Sequence, residues 1–274
     1  MTDEELIKAA FLLKEEEDEE LEELLTESEI LFVTLMLALI FDYESAMDDI
    51  LEWDYENIYD IVENLLGKYP NKVPSERVIQ RRLNKRPFIK EMNKTVTPIG
   101  RESYHKYYES FNSHYKSSGK HNYRSKQYKD IEKWLNDLPK KMKLTTDTRV
   151  IKLIRQSYEE GKGVKWLENQ LANCREFSRA RARTTAITEN RRMYHAAQYQ
   201  SFLDNDSIVT KEWKHTHGIK EPRPMHVKAD GQTVLKDEPF IINGHECLYP
   251  LDPNLPPKES ISCHCYMIPG IEGE

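Results

Sequence analysis

The chain has 274 residues, of which 38% are hydrophobic and 32% charged, and its net charge is −7. That length holds one large domain or two ordinary ones, but the apolar share is low for a single deep core, so a helix-rich or partner-dependent protein is expected. The longest apolar run, Ile30 to Phe41, is about half a membrane span, which excludes a transmembrane protein; the acidic first thirty residues carry no secretory signal. Four cysteines, Cys174, Cys247, Cys263 and Cys265, are too few for a disulfide framework and leave the cytoplasm as the expected compartment.

Charge is segregated along the chain. Residues 1–80 carry 23 acidic and 5 basic side chains, residues 81–143 carry 17 basic and 6 acidic, and the remainder is balanced. The front therefore reads as an acidic helix or frayed segment over Glu15 to Glu29. The apolar run follows, then apolar residues at helical spacing from Tyr43 to Leu66; two helices ended by Gly67 and Pro70 are expected. Pro70, Pro74, Pro87 and Pro98 mark a connector with short helical pieces up to Gly100.

Helices are predicted over Arg101 to Tyr115 and Ser125 to Leu138, with Pro139 closing the second. This basic stretch interleaves Lys106, Lys116, Arg124, Lys126 and Lys129 with aromatics such as Tyr104, Tyr107, Tyr108 and Tyr123. Such a composition suits phosphate contact with stacking, so these five cations are candidate DNA contacts. The alternative is a solvated helical face with the tyrosines packed inward. Thr146, Asp147 and Thr148 read as the cap of a further helix, stopped at Gly161-Lys162-Gly163. Val164 to Cys174 and Phe177 to Leu203 complete the helical part.

After Asp206 the character changes. Ile208, Val209 and Trp213 have strand flavour, Asp230-Gly231-Gln232 and Asn243-Gly244 are turn chemistry, and histidine and cysteine concentrate. The fold class expected is α+β: a mainly helical N-terminal and central region followed by a small irregular C-terminal module with short strands. The organisation expected is acidic helices over 1–70, a basic connector and helices over 71–145, and a last domain over 146–274, itself divided into helices (146–204) and the His/Cys-bearing module (205–274).

Imidazole and thiolate suit tetrahedral zinc. The C-x-C spacing of Cys263 and Cys265 is not that of a zinc finger, but in an extended segment both thiols point to one face. His226, Cys263 and Cys265 are the first candidate ligands. The fourth is taken as His217, with His215 and His245 as competitors. Free buried thiols and hydrogen-bonded histidines are the alternative.

Two blocks of residues carry a resemblance. One is the Arg-Thr block on a long helix, with Arg183-Thr184, Glu189-Asn190 and Ala196-Ala197. The other runs in order through Trp213, Arg223-Pro224-Met225-His226, Asp230-Gly231-Gln232, Phe240 with Asn243-Gly244, Tyr249-Pro250-Leu251-Asp252-Pro253 and Cys263-His264-Cys265. Over roughly residues 150–270 the chain resembles the phage Mu F-like minor head proteins, which act in head morphogenesis. It departs from them with Arg183-Thr184-Thr185 for Arg-Thr-Glu and with His264 for the usual arginine.

The resemblance implies a minor capsid protein of a tailed double-stranded DNA phage or prophage, not an enzyme. It implies association with the portal inside the head and with scaffold or major capsid protein, and contact with packaged DNA. The expected location is the virion, reached by assembly in the host cytoplasm, with no membrane involved. Arg183, Glu189, Trp213, Arg223, Asp230, Gly231, Phe240, Pro250 and Asp252 are its motif residues, and the long helix is expected to pack on the module through Arg183 and Glu189 as buried connectors. The competing reading is a metal-dependent nuclease-like or other hydrolytic domain centred on His226, with Asp230, His217 and a cysteine.

Overall fold

The computed structural model describes residues 27–115, 122–217 and 221–272. The expected acidic helix before Glu27, and Lys116 among the candidate DNA contacts, lie outside the described residues. In chain order the helices are α1 (Glu27–Lys68), α2 (Glu76–Leu83), α3 (Phe88–His114), α4 (Lys126–Glu159), α5 (Val164–Ala172) and α6 (Arg179–Leu203), with a 3-10 turn at Arg175–Phe177. Five short strands then alternate with two small helices: β1 (Ile208–Lys214), α7 (Pro224–Lys228), β2 (Thr233–Leu235), β3 (Phe240–Ile242), β4 (His245–Cys247), α8 (Pro257–Ser260) and β5 (Tyr266–Ile271). The class is α+β, helical first and short-stranded last, as expected. Among the described residues no helix is long and apolar enough to cross a membrane.

Three helices run longer than their sequence punctuation predicts. α1 is one helix where two were expected, because nothing between Ile40 and Tyr43 breaks it: Val33, Met36, Leu39 and Ile40 are buried, and Tyr43, Met47 and Ile50 continue the same helical spacing. α3 starts at Phe88 and passes through Pro98. There the proline and Lys94, whose carbonyl loses its partner, are both exposed, so water can take over the bond. α4 passes through the buried Pro139. The expected cap at Thr146 to Thr148 is therefore mid-helix. Thr146 and Thr148 donate back to the carbonyls of Met142 (3.1 Å) and Leu144 (2.8 Å), which satisfies their hydroxyls without ending the helix. The stop at Gly161 is as predicted: its φ is +64°, and the Lys162 N–H reaches the Ser157 carbonyl (2.7 Å).

The described residues form two compact units, one of residues 43–98 and 133–186, the other of residues 27–42, 99–115, 122–132, 187–217 and 221–272. The first unit is all helical. Ile58, Val62, Leu65, Ile79, Leu83, Val150, Ile154, Leu167 and Leu171 form its core. A buried charge network accompanies it: Arg86 lies 2.7 Å from Asp54 and 2.8 Å from Asp147, and Lys143 adds a second cation on Asp147 (2.5 Å).

The second unit centres on the C-terminal half of α6, where nearly every side chain from Thr188 to Phe202 is buried. Phe32, Tyr107, Phe111 and Tyr194 pack ring to ring at 5.0 to 6.1 Å, and Tyr108 donates to Asp204 (2.6 Å). The strands form an antiparallel sheet of order β2-β1-β5 and a separate β3-β4 hairpin. A Cβ at Gly270 in β5 would press on the Thr210 hydroxyl across the ladder, so a side chain there would make that hydroxyl turn away.

Burial lifts the Asp54 carboxyl to about 6 against the opposing pull of Arg86, whereas an unfolded aspartate titrates at about 3.9. Between those values the folded chain holds more protons, so unfolding free energy falls as pH rises from about 4 to about 6 and then levels. The Asp54→Asn chain is expected to lack that fall; parallel pH profiles of urea midpoint for the two chains would contradict it.

Candidate functional site

The C-terminal module is held by side chains that bond main chain. Trp213 in β1 is fully buried, edge-on to Phe240 (5.4 Å) and His226 (5.8 Å). Asp230 accepts the His215 N–H (2.9 Å). Gly231, at φ +80°, donates to the Trp213 carbonyl (2.9 Å), and the Trp213 N–H returns to the Gln232 carbonyl (2.9 Å). The Gln232 side chain then accepts from Ile241 N–H (2.7 Å) and donates to its carbonyl (3.3 Å). The Asp-Gly-Gln turn is thus tied to β1 and β3 at once.

The other turns work the same way. Asn243 and Gly244, both at positive φ, make the two-residue turn of the β3-β4 hairpin. Asp252 accepts the N–H groups of Leu248 and Asn254, each at 2.8 Å, and closes the turn that contains the buried Pro250 and the left-handed Leu251. Arg223, just before α7, donates to the Ile261 carbonyl (2.6 Å). Lys211 is buried beneath this layer, donating to the Leu248 carbonyl (2.7 Å) with its ammonium over the rings of Tyr199 (4.3 Å) and Phe240 (4.9 Å); burial lowers it to about 8.

At the centre lies a cluster of sulfur and nitrogen. Cys263 and Cys265 occupy an extended stretch before β5, and both thiols are buried on the side of His226, as the period-two argument predicted. His226 Nδ1 lies 3.4 Å from each sulfur, and the three ligand atoms lie within 4.8 Å of one another. The opposite ring nitrogen, Nε2, is 3.1 Å from the Glu259 carboxylate, whose other oxygen accepts from Asn243 (2.7 Å).

His215 Nδ1 is 3.7 Å from Cys265 Sγ. His217, the predicted fourth ligand, is not brought to the cluster: its side chain is 75% exposed and 3.5 Å from Asp230. His245 is exposed on β4. Cys263 is held well below the ordinary thiol range, chiefly by the hydrogen bond from Cys265 and also by His226, while Cys265 is pushed up by that same bond and by burial. A cleft of about 520 Å³ opens beside the cluster, lined by His215, Arg223, His226, Ser262, His264 and Cys265.

The module rests on α6. Glu189 is 3.1 Å from Arg192, which donates onward to the Leu251 carbonyl. Arg191 reaches His264 Nδ1 (3.0 Å), Gln198 donates to the Met267 carbonyl (3.3 Å), and Tyr199 packs on Tyr249 (5.5 Å). Glu189 is a buried connector as expected. Its cationic counterpart here is Arg192; Arg183 is half-buried in the helical unit.

Residues 148–268 match the family described as Phage Mu protein F like protein. This segment is Mu F-like. The chain is also 35% identical over 147 residues to "Uncharacterized protein YqbB" of Bacillus subtilis (strain 168), an alignment covering 53% of this chain and 48% of that one. The chain therefore spans about half the length of the curated relative it matches. No solved structure matches it.

In the Mu F-like segment, sequence reasoning missed Glu259 and Lys211. Glu259 lies in a proline-flanked stretch that reads as loop. Among the basic candidates, Lys106 and Lys126 pair with Glu102 (2.7 Å) and Asp130 (2.8 Å) at helical spacing, while Arg124 and Lys129 are exposed. Tyr104, Tyr107, Tyr108 and Phe111 are packed inward, and Tyr123 is 60% exposed.

Arg192→Ala removes one partner of a buried pair and the bond to Leu251, so unfolding free energy is expected to fall by about 3–5 kcal/mol. Urea denaturation reads this as a lower midpoint at unchanged slope; a decrease below about 1 kcal/mol, the range of an exposed pair, would count against the interaction.

Proposed function

We propose that this chain is a minor head protein of a tailed double-stranded DNA phage or prophage, a non-enzymatic component that joins the portal during head assembly and lies inside the capsid near it. The observation that carries this is the Mu F-like match over residues 148–268. The roles of the motif residues support a structural part. Asp230, Gln232, Asp252 and Arg223 each direct a polar atom to main-chain groups, which specifies a fold. The hydrolytic alternative has less support: His226 has both ring nitrogens engaged, and Asp230 faces His215 and His217.

The acidic front, 23 acidic against 5 basic residues over 1–80, suits a basic surface on the portal, scaffold or major capsid protein. The DNA part of the proposal rests on charge. With the tyrosines of α3 turned inward, binding to packaged DNA is a matter of phosphates, and the exposed Arg124 and Lys129 are the residues proposed to meet them.

Two measurements test these parts separately. In particles purified from the producing host and treated with protease, the chain is expected to survive in DNA-filled heads and to cross-link to the portal; its absence from particles would overturn the proposal. Binding of the full chain to arbitrary-sequence duplex DNA is expected to weaken with salt. Replacing Arg124 and Lys129 by Glu should reduce the slope of log K against log salt by about 1 for each phosphate that is no longer neutralised. An unchanged slope would remove these two residues from the DNA surface and leave the portal part standing.

A further inference from the structure

We propose that His226, Cys263, Cys265 and His215 form a closed tetrahedral zinc site that fastens the C-terminal module, with Glu259 orienting His226 from behind. The geometry comes first. For Zn–S of about 2.3 Å and Zn–N of about 2.0–2.1 Å at tetrahedral angles, a sulfur and a nitrogen on one ion stand about 3.6 Å apart. Three such separations are seen here, 3.4 Å from His226 to each sulfur and 3.7 Å from His215 to Cys265; His226, Cys263 and Cys265 have their ligand atoms within 4.8 Å of one another, and His215, outside that group, would move onto the ion. The four groups are all buried, with His215 at 4% and His226 at 1% exposure.

The surroundings match what a zinc ligand set needs. With Glu259 accepting the Nε2 proton at 3.1 Å, the His226 lone pair sits on Nδ1 and aims at the two sulfurs. Asn243 fixes Glu259 in turn, and the bond from the His215 N–H to Asp230 fixes the backbone of the fourth ligand. The buried Trp213 indole N–H has no hydrogen-bond partner, and a metal-bound Cys265 thiolate would give it an acceptor. The adjoining cleft gives the ion a path in. Two thiolates and two neutral imidazoles leave a site without net charge around a divalent ion, and four protein ligands leave no open position, so the ion's role is structural. The segments it joins are the end of β1 and the stretch entering β5, which already pair at Lys214 and Tyr266, and α7, which lies outside that ladder.

The test uses the full chain, produced in zinc-supplemented medium and purified without chelator. Elemental analysis is expected to give about one zinc per chain. After stripping, Co²⁺ alone should produce tetrahedral d–d bands with a thiolate-to-cobalt charge-transfer band. His215→Ala and Cys265→Ser should abolish or strongly alter that spectrum, His217→Ala should leave it unchanged, and Glu259→Gln should keep it while weakening affinity about 10–100-fold. Folded wild-type protein with far less than one equivalent of zinc and no charge-transfer band would overturn the site. Equal loss from His217→Ala and His215→Ala would overturn the ligand set. Should Cys265→Ser fail to fold, the wild-type cobalt spectrum and the His217/His215 contrast still decide.

Discussion

His226 is the point on which the C-terminal module turns. Its ring joins α7 to the stretch before β5 through two sulfurs and to α8 through Glu259, and it forms one wall of the Trp213 pocket. The module has strands of three to seven residues in a three-stranded sheet and a two-stranded hairpin, and an isolated hairpin of that size is marginal in water. Interactions that cross between segments therefore carry much of its definition. The proposed metal ion is the strongest of them, because a site absent from the unfolded chain returns its binding free energy as folding free energy.

A second support comes from α6. This helix is polar by composition yet buried on nearly every side from Thr188 to Phe202, which is tolerable only because its charged groups find partners: Glu189 with Arg192, Arg192 with Leu251, Arg191 with His264. Hydrophobic burial alone would not fix how a helix meets a loop-rich module. Directional bonds from arginines to specific acceptors do.

What could be read from the sequence was local. Asn243-Gly244 and Asp230-Gly231-Gln232 announce turns because their backbone demands lie within the few residues involved, and Cys263 and Cys265 share a face because a strand has period two. The helix ends were misjudged where punctuation is overridden by packing: Pro98 and Pro139 sit inside helices, and Thr146 bonds its own turn. The non-local pairings were the hardest. Glu259 meets His226 across 33 residues of sequence, and no pattern announces that. His215 and His217 have the same parity after Trp213, so alternation alone could not choose between them; the chain leaves the sheet after Lys214, and only His215 stays beneath it.

The basic aromatic stretch divides along the same line. Its tyrosines were read either as stacking platforms or as inward packing, and Tyr104, Tyr107 and Tyr108 pack inward because helical spacing places them on the buried face of α3. X-ray absorption at the zinc edge of the purified full chain tests the central claim, that a metal ion closes the His226 cluster, most directly. The account predicts a first shell of two sulfurs at about 2.3 Å and two nitrogens at about 2.0–2.1 Å. A shell of oxygen and nitrogen without sulfur, or no bound zinc, would contradict it.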